Sequence, residues 1–260
     1  MGRLQTNYHI GTSGWSYKHW ETIFYPARLL PEKFLEFYST HFDTVEINTS
    51  FYHLPRENTI KGWVGRVPGN FCFCPKLSRY ITHQLKLLNA GDALQKFFGL
   101  FEPMFPIMGP VLIQLPPQLS YDYERCISFF TLLKRDYGHI RFAIEVRHPS
   151  WINASFFSML KAFNIAFTIA DSGMRFPYHE RVTADFLYIR FHGSGQLYSS
   201  EYNDVQMLQY ANKIVRWGKE CSDVWIYFNN DVNGYAINNA RTLSAMIGAL
   251  SSDKKNLEER

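Results

Sequence analysis

The sequence predicts an α/β fold, a single (β/α)8 TIM barrel, and three observations carry that expectation. Strand-like and helix-like segments alternate along residues 8–250, the pattern of parallel strands joined by helical crossovers. At 260 residues the chain has a length that such barrels take as one domain. Short apolar runs end in polar residues: Val45-Glu46-Ile47-Asn48, Ala143-Ile144-Glu145-Val146-Arg147-His148, Ile169-Ala170-Asp171-Ser172, Tyr188-Ile189-Arg190-Phe191-His192 and Tyr227-Phe228-Asn229-Asn230-Asp231. In a closed parallel barrel such ends converge on one mouth, so residues far apart in sequence share one pocket.

The elements follow in order. Residues 8–13 read as the first strand, and 31–41 as a helix opened by Pro31 in its first turn. Residues 43–47 form the second strand, followed by an aromatic connection and a short helix over 59–67. Strands at 71–75 and 110–115 flank a helix over 90–101. The clearest helix covers 121–137, where Cys126, Phe129, Phe130, Leu133 and Tyr137 recur at helical spacing and need a sheet to cover. A strand at 141–146, a helix at 150–163 and a strand at 165–170 come next; then a loop without a helix signal, a strand at 186–191 and a helix at 204–217. The last strand is 224–228, and Leu243, Met246, Ile247 and Leu250 mark the closing helix. Residues 1–250 are expected to form the domain and 251–260 a polar tail.

Composition narrows the function classes. Hydrophobic residues make up 46% and charged residues 19%, a globular balance that argues against disorder. A net charge of +4 with no dense Lys/Arg block permits an anionic ligand without demanding one. Cys72, Cys74, Cys126 and Cys221 have neither zinc-ribbon nor disulfide-framework spacing and read as reduced thiols of a cytoplasmic protein. No apolar stretch long enough for a membrane span occurs, so no membrane partner is expected, and nothing points to a specific protein partner. No GxGxxG follows the first strand and no GxxxxGK[ST] occurs, which removes the usual support for dinucleotide and P-loop readings.

Several long motifs run through the chain: Gly11-Thr12-Ser13-Gly14-Trp15-Ser16-Tyr17 with Phe24-Tyr25-Pro26, Val45-Glu46-Ile47-Asn48-Thr49-Ser50-Phe51-Tyr52, Lys76 with Ile81-Thr82-His83, and Gln114-Leu115-Pro116-Pro117. Glu145-Val146-Arg147-His148 with Ser150-Trp151, Ala170-Asp171-Ser172, Tyr188 to Gly193, and Asn229-Asn230-Asp231 with Gly234-Tyr235-Ala236 continue the pattern. Together they resemble the motifs of the YecE-like family, TIM-barrel proteins catalogued as a domain of unknown function. The resemblance covers nearly the whole chain and implies the barrel, not an activity. One departure stands out: Ser194 occupies a position where family members often carry arginine, which puts an anion contact there in doubt.

Strand alternation puts Glu46 and Asn48 on one face, likewise Glu145 and Arg147, and likewise Tyr188, Arg190 and His192. Glu46, Glu145, Asp171 and His192 are the candidates for proton transfer. Lys76, Arg147 and Arg190 would orient an anion, and Asn48, Gln114 and Asn229 would hydrogen-bond substrate. Glu145, Asp171, His192 and Asp231 form a candidate ligand set for a divalent metal, Mn²⁺, Mg²⁺ or Zn²⁺, resembling metal-dependent barrels of the xylose-isomerase-like class. Three alternatives stay open: a metal-free ionic network of these acids with Lys76, Arg147 and Arg190; Glu46 and Glu145 as an acid/base pair; and a non-catalytic binding protein. For the last, Trp15, Tyr17, Tyr52 and Trp151 fall in strand-to-helix connections where rings stack on sugars or bases. The expected function is an enzyme of isomerase, epimerase or phosphodiester-hydrolase type, its ligand a small molecule, a sugar phosphate or a nucleic acid.

Overall fold

The computed structural model describes residues 6–258. Eight strands alternate with helices: β1 (Asn7–Thr12), β2 (Thr44–Ile47), β3 (Cys72–Pro75), β4 (Val111–Gln114), β5 (Phe142–Glu145), β6 (Ile165–Asp171), β7 (Phe186–Phe191) and β8 (Asp223–Phe228). The helices are α1 (Phe34–Ser39), α2 (Thr49–Tyr52), α3 (Glu57–Val64), α4 (Gly91–Phe101), α5 (Tyr123–Tyr137), α6 (Ala154–Phe163), α7 (Asp204–Trp217) and α8 (Tyr235–Glu258). Caps set several starts: Asp122 accepts from the Arg125 N–H, Asn153 from that of Phe156, and Asn203 exchanges bonds with Gln206 in a capping box. Helix α8 continues through the polar residues 251–258. Among the described residues no helix is long and apolar enough to cross a membrane.

The strands do not close into the predicted eight-stranded TIM barrel. They form an open, curled six-stranded parallel sheet in the order β1-β8-β7-β6-β5-β4, and a separate two-stranded sheet, β2-β3. Each seam has a chemical cause. Between β1 and β2 the Tyr38 hydroxyl takes the place of strand pairing: it accepts from the Thr12 N–H at 3.0 Å and donates to the Thr44 carbonyl at 3.1 Å. Between β3 and β4, Pro75 and Pro110 have no N–H to give, and among the described residues backbone pairing is limited to isolated bridges, Phe73 to Met108 and Lys76 to Leu112. Gly11 lets the first seam close tightly, since a Cβ there would stand 2.3 Å from the Thr44 carbonyl oxygen.

Alternation along the strands sorts the side chains into two cores. Outward-facing apolar residues such as Ile189, Phe191, Ile226 and Phe228 pack under the helices. Inward-facing Cys74, Leu112, Ala143, Ala166, Phe186, Tyr188, Trp225 and Tyr227 fill the space the sheets enclose. All four cysteines are free thiols. The next inward position on β2, β5 and β7 carries Glu46, Glu145 and Arg190, so a charged layer caps the inner core at the carboxyl ends of the strands.

Candidate active site

Arg190 is the centre of that layer. Its Nη2 donates to Glu46 Oε1 at 2.7 Å and its Nη1 to Glu145 Oε2 at 2.5 Å. The Tyr188 hydroxyl, two residues back on the same face of β7, donates to Glu46 Oε2 at 2.9 Å. Arg147 Nε donates to Glu145 Oε1 at 2.9 Å, and His192 Nε2 lies 3.4 Å from Glu145 Oε2. Asn229 Nδ2 faces His192 Nδ1 at 3.2 Å. With Asn229 as donor, Nδ1 is the acceptor, so the neutral ring carries its proton on Nε2, toward Glu145.

Two carboxylates and two guanidinium groups thus balance, and their surroundings decide each protonation state. Burial alone would raise the Glu145 carboxyl, but Arg190, then Arg147 and His192, hold it well below its ordinary value. Burial alone would lower Arg190, but Glu145 and Glu46 raise it. Burial, helped by Arg190 and opposed by Glu145, lowers His192 and keeps it neutral. Arg190 and His192 are both 0% exposed. With its Nη groups on two carboxylates, Arg190 ties the site together.

Lys76 closes the layer at the end of β3. Its Nζ donates to Gln114 Oε1 at 2.6 Å and lies 4.1 Å above the centre of the Phe51 ring. Burial, then Arg190, lower it to about 7 against the pull of Glu46 and Glu145. Beside it, burial followed by the charges of Lys76, Arg79 and Arg147 pushes His83 down to about 4. Lys76, Arg79 and Arg147 therefore form a rim of basic groups around a neutral His83.

The remaining predicted residues divide. Trp15, Tyr17 and Asn48 line a cavity of about 330 Å³ with Leu35, Trp63 and Arg66, a volume at the lower end for a small-molecule site. Trp15 and Trp63 meet edge to face at 5.2 Å, and Asn48 Oδ1 is buried without a hydrogen-bond partner. Tyr52 is exposed, whereas Trp151 is a core residue whose Nε1 donates to the Leu119 carbonyl at 2.6 Å. Asp171 faces the helix layer: it accepts from the Tyr210 hydroxyl at 2.6 Å and the Gly173 N–H at 3.1 Å. Asp231 is turned to His19, 3.7 Å from its Nε2.

The expected metal ligands therefore do not meet. Of Glu145, Asp171, His192 and Asp231, only Glu145 and His192 are neighbours, and among the described residues no group of three His, Cys, Asp or Glu side chains is arranged to hold a metal. The single imidazole has both nitrogens engaged and the nearby carboxylates are neutralised by arginine, so the donor set does not fit Mn²⁺, Mg²⁺ or Zn²⁺. The backbone N–H groups of two glycines near the strand ends are engaged, that of Gly193 with the Tyr202 hydroxyl and that of Gly234 with the Asp231 carbonyl. Tyr188, Arg79, Trp63 and Arg66 are absent from the predicted set. The face shared by Tyr188 and Arg190 was a usable signal for the first; Trp63 and Arg66 lie on or just after α3 and give none.

Fold and site define a class: an α/β protein of two parallel sheets that carries a buried, charge-balanced cluster at its strand ends. The chain belongs to the family described as "Protein of unknown function DUF72", whose model matches residues 9–259. It is similar to the UPF0759 protein YunF of Bacillus subtilis (strain 168), 25% identical over 269 residues that cover 92% of this chain and 94% of that protein. It is also similar to the UPF0759 protein YecE of Escherichia coli (strain K12), 29% identical over 143 residues, 55% of this chain and 49% of that protein. A crystal structure of a DUF72 family protein from Thermotoga maritima superposes with a TM-score of 0.85 at 25% identity, covering 93% of this chain and 99% of that one. One from Enterococcus faecalis, at 20% identity, shares the fold with a TM-score of 0.81 over 93% of this chain and 95% of that one. These findings bear out the YecE-like resemblance read from the motifs.

Proposed function

We propose that the chain is an enzyme acting by acid–base chemistry on a phosphorylated, sugar-like small molecule at the carboxyl ends of its strands. The observation that carries this reading is the positive charge that Arg79, and Lys76 when protonated, add around His83 beside a cluster in which Glu46, Glu145, Arg147 and Arg190 already cancel. A phosphate brings the negative charge that the rim lacks, and Arg147, which commits only its Nε to Glu145, keeps its Nη donors for it. The aromatic cavity at Trp15, Tyr17 and Trp63 suits a sugar ring, with the buried Asn48 Oδ1 as acceptor for a hydroxyl. Glu46, Glu145 and Arg190 fix the geometry, and proton transfer falls to Lys76, lowered to about 7, and to His192, whose ring is kept neutral.

The test is a thermal shift with a sugar phosphate against the same sugar without phosphate. A phosphate ester at about a hundredfold its Kd stabilises by about 2.7 kcal/mol, and Arg147→Met abolishes most of that gain. An equal shift from the neutral sugar, or an undiminished one in Arg147→Met, overturns the reading. Exchange of substrate C–H for deuterium, followed by NMR in D2O, reports turnover separately from binding.

A second reading, binding of single-stranded nucleic acid without turnover, is favoured by Tyr52 and Tyr80, exposed at 68% and 52% on the segments after β2 and β3, the latter next to Arg79. It requires affinity that falls steeply with salt, which a small sugar phosphate complex does not show to the same degree.

A further inference from the structure

Lys76 is set apart from every other charged group of the buried layer. Glu46, Glu145, Arg147 and Arg190 each have an ion-pair partner within 4.0 Å, and among the described residues Lys76 has none. It is 6% exposed, and its amine rests between a neutral amide oxygen and an aromatic face. A lysine can be desolvated in this way only if its amine gives up the proton readily, since neither Gln114 nor Phe51 supplies a full counter-charge. The charges that face it come from every element around it. Glu46 on β2 and Glu145 on β5 favour the ammonium; Arg190 on β7, together with Arg147 after β5, opposes it, and burial with these arginines prevails. A neutral amine has a free electron pair, and that is what a carbonyl carbon requires.

We propose that Lys76 is a nucleophilic amine that forms an imine with the aldehyde or ketone carbon of its substrate. The Nζ electron pair forms the N–C bond while the carbonyl π pair moves to oxygen, giving a carbinolamine. Loss of that oxygen as water, carrying both amine hydrogens, forms the C=N bond, and hydrolysis reverses the sequence with no net oxidation or reduction. Gln114 Oε1, which now accepts from Nζ, would hold the amine with its electron pair directed away from the amide. This inference rests on the reading of the site as one for a phosphorylated, sugar-like molecule, which in open-chain form presents a carbonyl.

Reductive trapping tests it in the wild-type protein. Glycolaldehyde and glyceraldehyde 3-phosphate are each added at pH 7 with cyanoborohydride, which converts an imine to a stable secondary amine, and the modified lysines are mapped by peptide mass. At that pH the free-amine fraction of Lys76 exceeds that of an exposed lysine by on the order of a thousandfold, so Lys76 should be labelled at least about tenfold faster than Lys33 or Lys61. The labelling rate should rise through neutral pH and then level off, whereas exposed lysines keep accelerating into the alkaline range. Preferential labelling of Lys76 by both aldehydes, faster with the phosphate ester, supports the imine and the phosphate reading together. Preferential labelling by glycolaldehyde with no advantage for the phosphate ester supports the nucleophile and removes the phosphate reading. Labelling of Lys76 no faster than that of Lys33 and Lys61 with either aldehyde overturns the proposal. Lys76→Arg, which lacks a nucleophilic amine, should lose the adduct while retaining a folded near-ultraviolet spectrum; because the mapping is done on the wild type, the test holds even if that variant does not fold.

Discussion

His83 is a half-buried imidazole between cations, and its position makes a definite statement about pH. Burial, then Lys76, Arg79 and Arg147, disfavour its protonated form and lower it from 6.5 to about 4. The unfolded chain takes up a proton at this residue as pH falls below about 6.5, and the folded protein does not until near 4. The cost is absent above that window and grows as pH falls through it, so stability declines on acidification. His192, lowered as well, acts in the same sense. Glu145 acts lower down: its stabilising ion pairs are intact above its unfolded value of 4.5 and are lost only as pH falls well below it. Lys76 has the depressed-lysine form of the same linkage, with stability increasing as pH rises from about 7 toward 10.5. Urea unfolding at a series of pH values should therefore show a decline between about pH 6.5 and 4.5 that His83→Gln reduces. An unchanged slope in that variant would mean that the ring is not held neutral by its neighbours. Inorganic phosphate, bound at the rim, should reduce the slope in the wild type by letting the ring accept its proton.

Strands, helices and the seams between them were legible to different degrees. Strand β7 and helix α7 begin and end where the sequence puts them, because the apolar run 186–191 and the Asn203 cap before 204 are local signals. Helix α2, four residues long, was read as a connection; one turn is too short to display a period. The ionic layer was legible in part, since Glu46, Glu145 and Arg190 stand at inward positions of their strands. Asp171 lies apart from that layer: Ala166 faces inward, so alternation turns Thr168 and Ala170 inward and Asp171 out toward Tyr210. Barrel closure was illegible because it fails through a tertiary hydroxyl, that of Tyr38, which no strand pattern contains; Pro75 and Pro110, at the other seam, were in plain view. The Tyr38 account makes its own prediction. Tyr38→Phe keeps the ring packing and strips the hydroxyl, leaving the Thr12 N–H and Thr44 carbonyl without that partner at a buried seam, a loss of about 1–3 kcal/mol. Urea denaturation measures the loss, and amide exchange at Thr12 should accelerate. A variant as stable as wild type would show that the two strands find each other without the tyrosine.

Across the whole molecule, the site is also the fastening between the two sheets. Glu46 and Lys76 belong to or directly follow strands of the two-stranded sheet, and their partners Arg190 and Gln114 lie in the six-stranded one. At the carboxyl ends of the strands these two polar contacts join edges that backbone pairing leaves open, with Tyr38 acting at the β1–β2 edge. Replacing either member of the Glu46–Arg190 pair should therefore loosen β2 and β3 more than the rest, but to different extents. Arg190→Met leaves two buried carboxylates, with Arg147 and the neutral His192 still beside Glu145 and Tyr188 beside Glu46, and should cost about 3–5 kcal/mol. Glu46→Gln keeps hydrogen-bonding capacity toward Tyr188 and Arg190 while removing one charge, and should cost about 1–3 kcal/mol. Native-state hydrogen exchange distinguishes a fastening from a general core contribution. In Glu46→Gln the amides of β2 and β3 should lose protection at free energies well below global unfolding, while those of β6, β7 and β8 follow only the global change. Equal loss of protection across all eight strands would assign the pair to the common core and deny the two-stranded sheet any separate mobility. A bound substrate spanning Lys76 and Arg147 bridges the same two sheets, so it should restore the protection of β2 and β3 first, coupling occupancy of the site to the coherence of the fold.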